Sequence, residues 1–320
     1  MAIEQLKECW QTKINTVTIG ATAEQGGSRL HTVTVGGQTG LPFLSAEAEI
    51  PYKPQIAFEI WDILPLDWPE DLMRVYGGCL ANPLEWAEKC VEDFNAGLLC
   101  IRLQGAHPEN ENRTPEQEAH FIQQLLRQIK VPIIILGCGD DEKDNAVLCA
   151  CAEAAKGERC LIGSASSNNY KTLVASCIAD GHNVIAQSPI DINIAKQLNI
   201  LITDIGLSAD RIVMDPTVGA LGYGLEYAYS IMERARLAAF SGDKMMAMPF
   251  ICMIGQEAWR SKEARASQQD FPTWGEATAR GIIWEATTAV SFLQAGADIL
   301  VMRHPQAIEK VRQYIELFNI

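Results

Sequence analysis

The chain has 320 residues, with 26 lysines and arginines against 40 aspartates and glutamates, so its formal net charge is −14. A strongly negative protein repels nucleic-acid phosphates, and the sequence contains no local basic stripe, so we expect no nucleic-acid partner. An apolar content of 48% with 21% charged residues excludes a disordered chain and suffices for one large core or two ordinary ones.

The sequence shows neither a secretory signal nor a membrane span. Residues 1–8 are mixed polar, and no window approaches about 18 uninterrupted apolar residues. The ten cysteines are dispersed through apolar runs, such as residues 99–101 and 159–161, which is typical of reduced, buried thiols. We therefore expect a cytoplasmic protein with no membrane partner.

The first predicted elements are two short strands near the start of the chain. Val17 and Ile19 alternate with threonine in residues 15–19, and Val33 and Val35 do the same in residues 32–35. The connection between these strands is polar and rich in glycine, which predicts an antiparallel hairpin. Hairpins of this kind can plug the bottom of a barrel.

Eight short apolar runs follow and are the predicted strand cores. Their starts are separated by 23 to 49 residues, each near the length of a strand plus a returning helix. The runs are Ala57 to Trp61, Leu98 to Leu103, Ile133 to Leu136, Leu161 to Ile162, Val184 to Ala186, Ile212 to Met214, Phe250 to Met253 and Ile299 to Met302.

The segments between these runs carry helix signals. Asn82 is a suitable N-cap before Pro83, and Thr114 begins a capping box that Gln117 completes. Gly181 follows an amphipathic stretch, where a residue without Cβ tolerates the left-handed turn that ends a helix.

Strands that are apolar on both faces and separated by helices predict a parallel sheet covered on both sides. This pattern favours a closed (β/α)₈ TIM barrel over the alternative, an open doubly wound sheet. We assign residues 1–55 to an N-terminal hairpin extension and residues 56–320 to the barrel.

Polar residues follow the predicted strands, where functional groups of parallel barrels lie. Asp62 and Asp215 could face each other and share a proton or hold a polar ligand, or each could cap the turn that follows it. His107 and His304 each precede a proline, and a structural role is the favoured interpretation for both.

Nucleophilic and metal chemistry find little support in the sequence. There is no Gly-x-Ser-x-Gly and no Cys-x-x-Cys motif, and Cys149 and Cys151 would point to different sides of one helix. The glycine-rich loop of residues 215–224 lacks a Walker lysine, so its glycines more simply allow a ligand or another backbone to approach closely. We expect neither a catalytic residue nor a metal ligand.

Two longer segments carry a family resemblance. Residues 214–227 (MDPTVGALGYGLEY) and residues 249–259 (PFICMIGQEAW) resemble the small (delta) subunit of the corrinoid iron–sulfur protein of the acetyl-CoA, or Wood–Ljungdahl, pathway. The similarity spans nearly the whole chain, including the hairpin and the strand end at Trp61 and Asp62.

The resemblance implies a barrel subunit of an anaerobic, heterodimeric methyl carrier. The large subunit of that family supplies a cobalamin-binding domain and a [4Fe–4S] cluster, and the corrinoid lies between the two subunits. The carrier receives a methyl group from methyltetrahydrofolate through a methyltransferase, as Co(I) becomes methyl-Co(III), and delivers it to acetyl-CoA synthase. A reductive activator is a further candidate partner. The role implied for this chain is to cover and position the corrinoid, with no intrinsic catalysis.

From barrel topology and loop composition, we expect a set of residues at the strand ends to lie nearest the corrinoid or the subunit interface. They are Ser164, Gln187, Asp215, Gly219, Gly222, Gln256 and Arg303. We also expect an exposed apolar rim around these loops, because obligate partners bury mostly apolar surface.

Two alternative functions remain. A free-standing pterin-dependent methyltransferase is supported by the predicted barrel and by the carboxylates at its strand ends. An aldolase-like barrel enzyme would need a catalytic lysine at a strand end, and none of the predicted strand ends has one.

Overall fold

The computed structural model describes residues 10–42 and 48–318. Its first element pair is an antiparallel hairpin of β1 (Thr16–Ile19) and β2 (Val33–Gly36), in which Val17 pairs with Val35. The hairpin predicted from the alternating valines is therefore confirmed.

Eight parallel strands form the central sheet, and each coincides with one of the predicted apolar runs to within a few residues. The strands are Gln55–Trp61 (β3), Leu99–Arg102 (β4), Ile133–Leu136 (β5), Leu161–Ala165 (β6), Asn183–Gln187 (β7), Ile212–Asp215 (β8), Ile251–Cys252 (β9) and Ile299–Met302 (β10).

The sheet is arranged as a barrel. Its hydrogen-bonded order is β8, β7, β6, β5, β4, β3, β10 and β9, and a parallel bridge between Met214 and Phe250 joins the two ends of that order. The predicted (β/α)₈ barrel is confirmed. Strand β9 is shorter than predicted because Met253 already lies at the N-cap position of the helix that follows it.

Helices cover the outside of the barrel. They are Glu70–Arg74 (α1), Pro83–Glu92 (α2), Pro115–Gln128 (α3), Asp141–Ala154 (α4), Tyr170–Asp180 (α5), Ile192–Ile205 (α6), Leu225–Phe240 (α7), Ile254–Ala258 (α8), Lys262–Arg265 (α9), Ala277–Gln294 (α10) and Pro305–Phe318 (α11). Among the described residues, no helix is long and apolar enough to cross a bilayer.

The predicted helix signals are present in the structure. The side chain of Asn82 accepts the N–H of Leu84, and Thr114 and Gln117 form both bonds of the capping box. Gly181 ends α5 in the left-handed conformation, with φ of 85°.

The hairpin closes the bottom of the barrel. Val17, Ile19, Val33 and Val35 belong to the same buried cluster as the apolar side chains inside the barrel. Arg29, in the loop between β1 and β2, is 3% exposed and donates to the last carbonyls of α3 and to Glu158. With the bottom filled, the opening of the barrel lies at the carboxyl ends of the strands.

Candidate functional site at the barrel mouth

A cavity of about 620 Å³ opens at the carboxyl ends of the strands. A volume of this size suits a drug-sized ligand. Of the predicted site residues, five line it: Ser164, Gln187, Asp215, Gln256 and Arg303.

The two predicted glycines do not line this cavity. A Cβ on Gly219 would lie 2.4 Å from the backbone oxygen of Tyr223, and a Cβ on Gly222 would face Trp284 at 3.8 Å. The glycine-rich loop therefore packs on its own backbone at Gly219. The sequence suggested that these glycines admit either a ligand or another backbone, and at Gly219 the structure shows a backbone.

One buried carboxylate organises the floor of the cavity. Glu59, on β3, is fully buried and accepts hydrogen bonds from Arg102 Nε at 2.9 Å and from Arg303 Nε and Nη2, both at 2.9 Å. Trp61 Nε1 donates a fourth bond at 2.8 Å. The arginines flanking Glu59 hold the pKa of its carboxyl well below the usual range despite its burial.

Arg303 is held from several sides. Its guanidinium lies 4.5 Å from the ring centroid of Trp68. Its backbone N–H donates to Glu285 Oε1 at 2.6 Å, and its carbonyl accepts from the hydroxyl of Tyr76. Burial raises the pKa of Glu285 to about 7. With so many fixed contacts, the guanidinium of Arg303 is pre-organised for binding.

Arg102 has spare hydrogen-bonding capacity. Its side chain is 14% exposed and lines the cavity, and its Nε is used by Glu59. Its Nη2 is buried and has no hydrogen-bond partner in the described part of the chain. A buried donor without a partner is uncommon in native structures and calls for an explanation.

Asp215 supplies an acceptor in the same cavity. Its Oδ1 accepts the N–H of Thr217 at 2.9 Å, and its Oδ2 accepts Nε2 of Gln187 at 3.0 Å. The bond to Thr217 confirms that Asp215 caps the turn that follows it. Burial raises the pKa of Asp215 to about 6, and Thr217, Gln187 and the charge of Arg102 act in the opposite direction.

Asp62 does not face Asp215 across the mouth, so the alternative of a shared proton between them is wrong. Both carboxylate oxygens of Asp62 accept the N–H of Gly105, and Oδ2 pairs with Arg113 at 3.1 Å. Asp62 borders a second cavity of about 340 Å³, between α2 and α3. The buried Glu118 lies close by, with Arg113 Nη1 4.0 Å from Glu118 Oε1 and 3.1 Å from Asp62 Oδ2.

Acidic side chains surround the floor. They are Asp67, Glu109, Asp141, Asp144 and Glu257. Besides the two floor arginines, Arg260 is the arginine that lines the cavity, and its side chain is 64% exposed and pairs with Glu257 at 3.3 Å. The wall of the cavity therefore carries excess negative charge.

His304 and His107, which each precede a proline, lie in different environments. His304 is 2% exposed, stacks against Trp259 and accepts the N–H of Gln306 at its Nδ1. Burial lowers the pKa of His304 to about 4, so this ring is neutral at physiological pH. His107 lines the cavity, where its Nδ1 accepts the N–H of Glu109 at 3.1 Å.

Large apolar side chains are exposed in the segments that follow the strands. Leu66 is 82% exposed and Tyr227 is 64% exposed. We call this set the apolar rim, and it consists of Leu64, Leu66, Ile190, Tyr223, Tyr227 and Trp274. All six lie in segments that follow strands, at the end of the barrel where the sequence predicts an apolar rim.

The cysteines are mainly buried in the barrel and its helices. The nine cysteines in the described part of the chain are free, and seven of them are buried. Within those residues, no group of three or more histidine, cysteine or acidic side chains is placed to hold a metal ion.

Sequence reasoning missed Glu59 and Arg102, which together with Arg303 form the floor. Both missed residues are charged side chains within apolar strand sequences, at Phe58–Ile60 and Ile101–Leu103. Charged residues are almost never fully buried unless they are paired, so their place in buried strands was a usable signal.

Comparison with protein families identifies the chain. A family model described as CO dehydrogenase/acetyl-CoA synthase delta subunit matches residues 16–317. The chain belongs to this delta subunit family. The resemblance drawn from the two sequence motifs is therefore confirmed.

Curated members of the delta subunit family are similar to nearly the whole chain. The acetyl-CoA decarbonylase/synthase complex subunit delta of Methanosarcina mazei is 37% identical over 309 residues, covering 95% of this chain and 70% of that protein. The subunit of the same name from Archaeoglobus fulgidus is 37% identical over 322 residues, covering 99% of this chain and 70% of that protein. Both relatives are named as subunits of an acetyl-CoA decarbonylase/synthase complex.

Solved structures similar to this delta family chain include dihydropteroate synthases. The enzyme from Xanthomonas albilineans in complex with 7,8-dihydropteroate has a TM-score of 0.56 at 13% identity, covering 86% of this chain and 98% of that one. The enzyme from Coxiella burnetii in complex with pteroic acid has a TM-score of 0.55 at 15% identity, covering 87% and 98%. At this identity the likeness concerns the fold alone.

Proposed function

We propose that this delta family chain is the small subunit of a heterodimeric corrinoid methyl carrier, whose barrel mouth covers and positions the corrinoid. The observation that carries the proposal is a polar, pre-organised floor in the barrel mouth, together with the exposed apolar rim residues in the segments that follow the strands, in a chain that belongs to a family of complex subunits. The large subunit would supply the cobalamin-binding domain and the [4Fe–4S] cluster.

The cavity suits part of a corrinoid. Its volume of about 620 Å³ is in the range for a drug-sized ligand, and a corrinoid is larger, so the macrocycle would lie across the mouth. Arg102, whose side chain is 14% exposed and lines the cavity, would face the polar groups at the periphery of such a ligand. When bound, the corrinoid would supply a cobalt atom that carries the methyl group.

The apolar rim suits a partner subunit. Leu66 and Tyr227 expose most of their surface, and covering them would remove apolar area from water at roughly 25 cal/mol per Å². The described residues contain no cluster of metal-ligating side chains, which favours placing the iron–sulfur cluster on the partner. We propose a methyltransferase, acetyl-CoA synthase and a reductive activator as transient partners, in the cytoplasm of an anaerobic organism.

The alternative is a free-standing pterin-dependent methyltransferase. Its support is the barrel fold shared with dihydropteroate synthases, whereas membership in a family of complex subunits favours the carrier. The alternative predicts micromolar binding of methyltetrahydrofolate by the isolated chain, which isothermal titration measures.

Co-purification from native cells tests the carrier proposal. We expect a complex with one larger subunit, and a visible spectrum with corrinoid and cluster bands in about equal stoichiometry. A colourless chain without a larger partner and without cobalt would overturn the proposal.

A pair of rim variants locates the interface. Leu66→Glu places a charge in the apolar rim and should abolish co-purification of the large subunit. Leu30→Glu is the matched control, because Leu30 is 79% exposed in the hairpin loop at the opposite end of the barrel. Equal retention of the partner by both variants would show that the mouth is not the interface.

A further inference from the structure

Helix α6 exposes apolar side chains on the outer wall of the barrel. Ile194 and Ile200 are each 38% exposed, Ile205 is 37% exposed, and Ile178 on the neighbouring α5 is 38% exposed. The side chains of α6 that are buried in the core are Ala195, Leu198, Asn199 and Ile202. A surface helix normally presents polar residues to solvent, so isoleucines on both sides of α6 are typical of a helix that packs on both sides.

This surface is separate from the mouth of the barrel. Helix α6 lies between β7 and β8 along the chain, and no residue of α6, which is described throughout, lines the mouth cavity. A partner that covers α6 would therefore leave the mouth free.

Two charged side chains of opposite sign flank Ile200. Lys196 precedes Ile200 by four residues and Asp204 follows it by four, so the three form one row on the helix, with each charged residue about 6 Å along the axis from Ile200. Asp204 is exposed, and Lys196, whose side chain is 46% exposed, pairs with Asp243 Oδ2 at 2.7 Å. Lys196 and Asp204 are the two charged residues of α6, so this helix has no net charge in a chain of −14.

The row of Lys196, Ile200 and Asp204 is complementary to itself. When two α6 helices pack antiparallel about a two-fold axis at Ile200, residues equally far before and after Ile200 lie opposite each other. Lys196 of each copy then faces Asp204 of the other, and the two Ile200 side chains meet at the axis. The interface of a two-fold dimer must be self-complementary in this way, whereas a partner of another sequence would not require the two charges to be placed symmetrically. A helix without net charge also gives two copies of a strongly negative chain a place to approach.

We propose that the α6 face, which consists of Ile194, Lys196, Ile200, Asp204 and Ile205, binds a second copy of this chain about a two-fold axis at Ile200. Burial of the isoleucines drives the association, and the two pairs of Lys196 with Asp204 set the register of the helices. The inference does not rest on the proposed function. In the carrier, the same contact would join two heterodimers side by side.

Sedimentation velocity on the full-length chain tests the contact. A pair of helices is at the low end of interface sizes, so the chain is studied up to about 200 μM, where we expect a dimer. Ile200→Glu places two carboxylates at the axis and should weaken dimerisation at least about tenfold. Ile283→Glu is the matched control, because Ile283 is 56% exposed on α10, another outer helix. Both isoleucines lie at the surface, so thermal unfolding should show that both variants are folded.

An exchange of charges tests the register. The charge variants are made in an Asp243→Asn background, because Lys196 also pairs with Asp243 within the chain, and this background alone should leave the dimer unchanged. Asp204→Lys brings like charges together at both ends of the contact and should weaken dimerisation at least about tenfold. Lys196→Asp/Asp204→Lys restores the opposite pairs with the same composition, and should return the dimerisation constant to within about threefold of the background.

The outcomes separate this contact from the carrier proposal. A chain that stays monomeric throughout the concentration range overturns the contact, as does a dimer that Ile200→Glu leaves intact or that the charge exchange does not restore. If Ile200→Glu instead removes the large subunit from the native complex, α6 binds a different chain; the second copy is then overturned and the carrier still stands. A colourless chain that dimerises through Ile200 but has no larger partner would support the contact and overturn the carrier alone.

Discussion

Replacing Glu59 by glutamine perturbs the centre of the candidate site with little change in volume. The carboxylate is fully buried and accepts four hydrogen bonds, one from Trp61, one from Arg102 and two from Arg303. Glutamine removes the charge and presents one oxygen instead of two. Two buried guanidinium groups would then lose the carboxylate that they share.

The expected loss of stability is large for one substitution. Breaking a buried ion pair by removing one partner costs about 3–5 kcal/mol, since the remaining charge stays buried and unpaired. An unfolding entropy of about 2.1 cal/mol/K per residue, over 320 residues, converts about 4 kcal/mol into a decrease of about 6 °C in Tm. Glu59→Gln/Arg102→Gln should recover about 1–2 kcal/mol, because one of the unpaired charges is also removed.

Urea unfolding followed by circular dichroism measures these free energies, and calorimetry measures Tm. Glu257→Gln is the control, because Glu257 lines the same cavity but pairs with the exposed Arg260 and should change stability by less than about 1 kcal/mol. A loss below 1 kcal/mol for Glu59→Gln would refute the reasoning. So would a double variant that is destabilised by the sum of its two single substitutions.

Three further predictions concern groups elsewhere in the structure. Burial and the Asp62 carboxylate raise the pKa of Glu118 in the folded chain. The folded chain therefore holds the Glu118 proton more tightly than the unfolded chain. The stabilisation is complete below the pKa of the unfolded chain and is lost as pH rises through the pKa of the folded chain. Glu118→Gln should therefore flatten the dependence of urea-unfolding free energy on pH, and parallel curves would contradict this. Because burial raises the pKa of Asp215 to about 6, its accepting carboxylate form grows between pH 5 and 7. Because a buried charge is unfavourable, the free energy of unfolding should fall over that range, and Asp215→Asn should remove this fall in urea unfolding; an unchanged fall would contradict the assignment. Arg29→Ala should cost about 3–5 kcal/mol in urea unfolding, because Arg29 anchors the hairpin loop to the end of α3 and to Glu158. The control Arg127→Ala removes an exposed arginine of α3 and should cost less than about 0.5 kcal/mol. Similar losses for the two variants would disprove an anchoring role.

The candidate site was predictable only in part. Strand ends of a parallel barrel converge on one opening, so placing Ser164, Gln187 and Gln256 at that opening required no more than the strand boundaries. Gly219 was assigned to the site because it also follows a strand. A glycine in that position, however, is equally compatible with a bound ligand and with a close backbone contact. The approach of the Tyr223 carbonyl, which decides between them, cannot be read from the sequence.

The sequence by itself determined the eight strands, the hairpin, the helix caps and the family of this protein. These features depend on local patterns of apolar, capping and turn residues, which act over a few neighbours in the chain. Only the tertiary structure decided that Glu59, Arg102 and Arg303 meet on one floor, and that Asp62 turns to Gly105 and Arg113 instead of the mouth. Those contacts join residues 43 to 244 positions apart, and they depend on which strands become neighbours when the barrel closes.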